Sequence, residues 1–132
     1  MESRRVAAIP FFAGLPDAEL AVVARLASEL EVATGEAITN EGDFGHALFA
    51  IESGTADVVR DGTTLRAVGL GDVVGEVAVL VSGRRTASVV ATSPMRVVVL
   101  FKRDVWALDR EAPEAARRLS GVLAERVERA LD

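Results

Sequence analysis

The feature that most constrains the fold is a series of short β-prone segments, each ending in a turn, between residues 31 and 102. Such segments, recurring about every 8–12 residues, are typical of antiparallel sandwiches and barrels. They read EAITNEG, LFAIESG, ADVVRDG, TTLRAVG, RTASVVATS and MRVVVLF. Asp61-Gly62 predicts a tight hairpin between the third and the fourth. The sequence therefore predicts an antiparallel β-sandwich or β-barrel.

Helical periodicity flanks this region on both sides. From Pro16 to about Leu30, apolar residues recur at the spacing of an amphipathic helix that a proline opens. From Asp104 onward the pattern is helical again, and Pro113 is expected to separate a short helix from a longer one beginning near Glu114. The expected fold class is α+β, with a helix, a β-barrel and a helical tail in chain order.

No internal repeat or linker divides the sequence, so we expect one domain. Its parts would be an N-terminal helical segment (1–30), the β-barrel (31–102) and C-terminal helices (104–131).

The start, MESRRVAAIPFFAGLPDAEL, allows two interpretations. Two arginines followed by apolar residues resemble a short signal peptide. Pro10 interrupts the apolar run, however, and favours a segment that packs on the core through Phe11, Phe12 and Leu15.

Composition excludes several classes of site. Without cysteine there is no disulfide framework, thiolate zinc site or cysteine nucleophile, and one histidine among 132 residues cannot build a histidine-rich metal centre. A net charge of −5 repels nucleic-acid backbones and anionic membranes. No apolar run reaches the roughly 20 residues of a membrane span. We expect a cytoplasmic chain with no membrane segment, no metal, no cofactor and no nucleic-acid partner of its own.

The stretch RAVGLGDVVGEVAV, residues 66–79, spaces its glycines almost as a dinucleotide-binding turn does. That turn needs a long helix directly after it, within alternating strands and helices. Here the segment after Gly75 runs only to Gly83 before β-prone residues resume. A dinucleotide fold is excluded, and Gly69 and Gly71 are assigned to a turn between strands.

A short helix opening at Gly75 would still suit an anion. Its first backbone N–H groups lack partners within the helix, and glycine lets a ligand approach them. Arg84 and Arg85 follow, and an arginine can bind a phosphate through two parallel hydrogen bonds. Glu76 would repel a phosphate and fits only a ligand that also offers a neutral hydroxyl. The pattern favours a ligand with one phosphate and a nearby sugar hydroxyl.

The segment GEVAVLVSGRRTASV, residues 75–89, resembles the phosphate-binding cassette of cyclic nucleotide-binding domains. The family pattern is matched without a gap by Gly75, Glu76, Ala78, Arg85, Thr86, Ala87, Ser88 and Val89. GEAITNEGDFGHALFAIESGTADVV and VGLGDVVGE are similar to the family's preceding strands and turns, and the tail to its closing helices. Val74 departs from the larger apolar residue usual before the glycine, and His46 from a small or acidic one. The resemblance implies a jelly-roll barrel with a short cassette helix inserted.

The resemblance also implies roles. Arg85 would pair with the cyclic phosphate, and Glu76 would accept a hydrogen bond from the ribose 2′-hydroxyl. The cradle would be completed by Gly75, Val77, Ala78, Thr86 and Ala87. Without the flanking pattern, Glu76 and Arg85 would be interpreted as an exposed ion pair worth about 0–1 kcal/mol.

The base pocket leaves two interpretations open. Val58 and Val68 align with strand positions that pack a purine in the family, and apolar strand residues are also ordinary core residues. Arg126 falls where related channels place a lid residue over the base, and it also fits a charged helix face.

Four further residues receive no ligand role. Arg84 is expected to be a solvated neighbour of the site, Ser88 a strand residue, Trp106 a packing residue and His46 a surface loop residue.

The function implied is a cyclic nucleotide sensor without catalysis. The ligand would be cAMP or cGMP, with cAMP favoured by an alanine- and arginine-rich composition of bacterial type, while Thr86 does not discriminate. Binding would repack Val79 and Leu80 against the helix near 104–108 and fold the tail helix over the base, for a fused or separate effector.

Two alternative classes were compared with it. A catabolite-activator-type transcription regulator would add a helix-turn-helix after the long helix, and no such motif occurs before Asp132. An enzyme would need a nucleophile–base pair, a metal cluster or paired carboxylates in a cleft, and none is evident. LSGVLAERVERAL could form a dimer helix, but its narrow apolar stripe is broken by Gly121, so we expect a monomer or weak dimer.

Overall fold

The computed structural model describes residues 1–75, 79 and 83–131, the last six by their backbone alone. Its elements are the helices α1 (Ser3–Ala7), α2 (Asp17–Leu26), α3 (Lys102–Glu111) and α4 (Pro113–Leu131), and the strands β1 (Ser28–Val32), β2 (Ala37–Thr39), β3 (Ala47–Ser53), β4 (Ala56–Arg60), β5 (Thr63–Val68), β6 (Val73–Val74), β7 (Ser88–Ala91) and β8 (Met95–Phe101).

The strands form two antiparallel four-stranded sheets, ordered β1-β8-β3-β6 and β2-β7-β4-β5. The central strands β3 and β8 of the first sheet are buried on both faces, which explains why they are almost continuously apolar. One face meets the second sheet in an inter-sheet core, and the other packs on the helices. The second sheet alternates buried and less buried residues along β4 and β7, as expected for a sheet with one solvated face. The predicted α+β sandwich is confirmed.

The predicted hairpin joins β4 to β5. Asp61 and Gly62 have φ angles of 51° and 76°, as a two-residue turn with both central residues in the left-handed region requires. The turn sets Arg60 opposite Thr63, and the strands pair from there to Ala56 and Val68.

The N-terminal segment packs on the helical side of the first sheet. Phe12 and Leu15 are buried there, and Phe11 is half-buried and contacts Phe12 edge-to-face. This agrees with the core-packing interpretation of these residues. No helix in the described part of the chain is both long and apolar enough to cross a bilayer.

The helices are joined by contacts between residues distant in sequence. Oε1 of buried Glu19, on α2, accepts hydrogen bonds from the backbone amides of Glu114 and Ala115, each at 3.0 Å. Nη1 of Arg118 donates to the carbonyls of Phe11 and Ala13 at 2.9 and 2.7 Å. The start of α4 is therefore bonded to α2 and to the N-terminal segment.

The end of the first long helix and two strands differ from expectation. The first long helix ends at Leu26, because Ala27 is extended (ψ 141°) and Ser28–Val32 pairs with β8. Leu30 therefore lies in a strand and is 43% exposed. The strands β1 and β6 were not predicted, since Ser28–Leu30 was assigned to the preceding helix and β6 is only two residues long.

Candidate functional site

The Arg85 side chain is buried between the start of β3 and the turn after β6. Its Nη2 donates to the carbonyl of Ala47 at 2.8 Å, and its Nη1 donates to that of Gly75 at 3.2 Å. Its backbone is held as well, since its N–H donates to the backbone carbonyl of Asp43 at 2.7 Å and its carbonyl accepts from the backbone N–H of Gly42 at 2.9 Å. The guanidinium is thus fixed in place, with 9% of the residue exposed.

Fixing the guanidinium this way suits anion binding. Its carbon lies 5.5 Å from the centre of the Phe49 ring, at a distance where a cation is attracted to a ring face. A charge at a site with little water acts more strongly on an incoming anion than one on a solvated side chain. A planar guanidinium can also bind a phosphate through two parallel hydrogen bonds.

Gly75 allows this arrangement. Its φ is +83°, and a Cβ there would lie 2.5 Å from Nη1 of Arg85 and 3.3 Å from the carbonyl oxygen of Ala47. Only glycine accepts both that backbone angle and that close approach. The structure therefore brings together Gly75 and Arg85, two of the residues that the sequence singled out.

Thr86 and Ala87 continue from Arg85 toward β7. Ala87 is buried and Thr86 is exposed, and both carbonyls accept side-chain hydrogen bonds. Nε of Arg60 donates to Thr86 at 2.8 Å, and Oγ1 of Thr39 donates to Ala87 at 3.0 Å. Sequence analysis did not single out Arg60 or Thr39. The signal for Arg60 was its position directly before the Asp61-Gly62 turn, at the end of a strand that has β5 on one side and β7 on the other.

Val58 and Val68 are buried in the inter-sheet core, at 6% and 3% exposure. That core also contains Ala87 and Val89, which continue the chain from the Arg85 segment. Their positions are compatible with a core role and with the wall of a base pocket, so the purine contact stays a prediction.

Five of the residues that were given roles lie wholly or partly outside the described residues. Glu76, Val77 and Ala78 are outside them, and so is Leu80. The backbone of Arg126 lies on α4, but its side chain is outside the described part. Val79 is described and buried, in the same cluster as Val105 and Leu108 of α3.

The residues without an expected ligand role fall in several environments. Arg84 is exposed, stacks over Phe44 at 4.2 Å and donates to the Gly42 carbonyl at 3.0 Å. Oγ of Ser88, at the start of β7, accepts from the Glu41 amide at 2.9 Å.

His46 is an exposed loop residue, as predicted. Trp106 is not a packing residue: it is 58% exposed, and Nζ of Lys102 lies 5.6 Å from its ring centre. The helix α3 buries Val105 and Leu108 instead, which leaves Trp106 on the outward side.

Comparison with known proteins agrees with this architecture. Residues 29–111 match the family model of the cyclic nucleotide-binding domain. The chain is 32% identical over 126 residues to the cyclic AMP receptor protein of Thermus thermophilus, covering 92% of this chain and 58% of that protein. It is 29% identical over 121 residues to a cyclic nucleotide-gated potassium channel of Rhizobium etli, covering 92% of this chain and 34% of the channel.

Solved structures give the same result. The crystal structure of the Thermus thermophilus catabolite activator protein superposes with a TM-score of 0.81 at 32% identity, covering 92% of this chain and 59% of that one. The chain thus spans less than two thirds of these relatives. With a family match over more than half of its length, the protein belongs to the cyclic nucleotide-binding domain family, whose members are regulatory domains and typically not enzymes.

Proposed function

We propose that residues 1–132 act as one sensor domain that binds cAMP in preference to cGMP and reports binding through its C-terminal helix. In this proposal Arg85 binds the cyclic phosphate and Glu76 accepts a hydrogen bond from the ribose 2′-hydroxyl. The cradle is completed by Gly75, Val77, Ala78, Thr86 and Ala87, and the base packs against Val58 and Val68 beneath Arg126.

The observation that supports the phosphate assignment is the contact of Arg85 with the Gly75 and Ala47 carbonyls. Burying a cation is unfavourable unless hydrogen bonds hold it, and a surface ion pair would need no such arrangement. The interpretation of Arg85 as part of an exposed ion pair is wrong, because the residue is 9% exposed.

The preference for cAMP is supported by the relatives. The Thermus thermophilus protein is named for cyclic AMP, and the other relatives include several regulatory subunits of cAMP-dependent protein kinases beside one cGMP-dependent protein kinase. The preference is a matter of relative affinity, so it is tested by measuring both nucleotides on the same protein.

Transmission to α4 is supported by burial of Val79 with Val105 and Leu108 of α3. That cluster joins the cassette to α3, and α3 leads into α4 across Ala112. A ligand can shift α4 only if it binds more tightly to one arrangement of the helices than to another. The effector, fused or separate, would respond to that shift in the cytoplasm, with the sensor as a monomer or weak dimer.

Calorimetric titration with cAMP and with cGMP tests the proposal on the wild-type chain, Arg85→Ala and Arg96→Ala. Arg96 is the matched control, since it is an exposed arginine that pairs with Glu31 on the first sheet. We expect the wild type and Arg96→Ala to bind cAMP more tightly than cGMP, and Arg85→Ala to lose at least tenfold in affinity. No wild-type binding at millimolar nucleotide, or unchanged binding by Arg85→Ala, would refute it.

A second candidate is the nucleotide-binding part of a catabolite-activator-type transcription regulator. The observation that favours it is 32% identity to the Thermus thermophilus receptor over 58% of that protein. Reading the gene beyond the codon of Asp132 tests it, together with gel-shift assays of its full product with and without cAMP. Cyclic nucleotide-dependent DNA binding would support this candidate, and a product without a DNA-binding domain would exclude it.

A further inference from the structure

Arg60 occupies the end of β4 beside the Arg85 segment. Residues 56, 58 and 60 of a strand point to the same side, and Ala56 and Val58 point into the inter-sheet core. The strands β4 and β7 pair Val58 with Val89 and Val59 with Ser88. Arg60 follows Val59 at the end of β4, and it lies beside the chain that leads from Ser88 back to Arg85.

The Arg60 side chain makes one hydrogen bond to the described part of the chain. Its Nε donates to the Thr86 carbonyl at 2.8 Å, while its two Nη groups donate to no described residue. Thr86 directly follows Arg85, whose backbone is held by Gly42 and Asp43. Arg60 thus holds the backbone at Thr86 from the β4 side, one residue after Gly42 and Asp43 hold it at Arg85.

The contact joins two segments beyond the end of the β4–β7 ladder. The last β4–β7 pair is Val59 with Ser88, so Ala87 and Thr86 lie outside the ladder. Beyond it, side chains hold the backbone: Thr39 bonds the Ala87 carbonyl and Arg60 the Thr86 carbonyl. Thr39 is buried and Arg60 is exposed, so Arg60 can be replaced without opening the core.

We propose that Arg60 is a positioning residue for cyclic nucleotide binding, acting through the Thr86 carbonyl to orient Thr86 toward the ligand. This inference rests on the proposed function. A lysine would keep the charge but has no Nε–H at that distance from the backbone, because its ammonium lies at the end of a flexible stem. Loss of one such hydrogen bond corresponds to about a three- to tenfold change in affinity.

The test measures cAMP and cGMP affinity of Arg60→Ala, Arg60→Lys, Thr86→Ala and the Arg60→Ala/Thr86→Ala double variant, with Arg96→Ala as control. Urea unfolding of each variant checks stability. We expect Arg60→Ala and Arg60→Lys to weaken binding about three- to tenfold while each variant stays fully folded at the temperature of the titration. We expect Arg60→Ala to have little further effect in the Thr86→Ala background, since the two residues act as one unit.

Three outcomes of the affinity measurements would overturn the inference, and the stability measurements add a fourth. The first is wild-type affinity in Arg60→Ala. The second is full rescue by Arg60→Lys, which would show that the effect depends on charge alone. The third is an undiminished effect of Arg60→Ala in the Thr86→Ala background. Failure of the wild type to bind either nucleotide is a different result, since it removes the proposed function itself. A loss of affinity that merely follows a loss of stability would also count against a positioning role.

Discussion

The guanidinium of Arg85 occupies the space that a side chain at Gly75 would need. Nη1 of Arg85 lies 2.5 Å from where a Cβ on Gly75 would be, and it donates to the Gly75 carbonyl at 3.2 Å. The glycine and the arginine therefore form one unit, in which the absence of a side chain at one position sets the place of the charge at the other.

Gly75→Ala is expected to displace Arg85 and to lower cyclic nucleotide affinity at least tenfold. The substitution also places alanine at a φ of +83°, which costs about 1–2 kcal/mol of folding stability. Gly35→Ala is the matched control, because Gly35 has a φ of +88° with nothing within 4 Å of its Cβ position. Calorimetry and urea unfolding of both variants check this. Similar affinity losses in the two would show that backbone strain, and not the Arg85 contact, is responsible.

Removing the Glu19 carboxylate is expected to destabilise the start of α4. Its Oε1 accepts from the amides of both Glu114 and Ala115, so it satisfies two N–H groups that the helix leaves unpaired. We expect Glu19→Ala to lower the free energy of unfolding by about 1–2 kcal/mol, and Glu19→Gln, which keeps an acceptor oxygen, by less. Urea denaturation measures both. The control is Glu2→Ala, an exposed residue paired with Arg4, and an equal loss there would contradict the capping role.

Arg118→Ala is expected to loosen α4 from the N-terminal segment. The residue donates to the Phe11 and Ala13 carbonyls, and hydrogen bonds from a charged donor contribute about 1.5–3 kcal/mol. We expect faster amide hydrogen exchange in α4 and lower stability than in Arg117→Ala, which changes an exposed neighbour on the same helix. Equal exchange rates in the two variants would show that α4 is held by apolar packing alone.

Trp106 provides a probe of the proposed movement of the helices. It is the one tryptophan of the chain, is 58% exposed, and lies on α3 next to Val105, which packs in the cluster that contains Val79. We expect saturating cAMP to change its fluorescence in the wild type and not in Arg85→Ala. A spectrum unchanged at saturation, with binding verified by calorimetry, would contradict transmission through α3.

Local patterns in the sequence were enough to predict the sandwich class, the Asp61-Gly62 hairpin and the break at Pro113, because strand, turn and helix-breaking tendencies are properties of a few neighbouring residues. The cassette could be recognised because its pattern is contiguous from Gly75 to Val89. The strand β1 was missed because Ser28–Leu30 was assigned to the preceding helix, and only the pairing with β8 places these residues in a sheet. Trp106 was misplaced because helical periodicity does not tell which side of a short helix meets the core.

The sequence by itself determined the residue types at the candidate site and the spacing between Gly75 and Arg85. Only the tertiary structure decided that the Ala47 carbonyl fixes Arg85, that Arg60 bonds Thr86 and that Glu19 caps α4. These contacts join residues 38, 26 and 95 positions apart. A local sequence pattern does not predict such pairs, because strand register and helix packing bring them within hydrogen-bond distance only when the whole chain has folded.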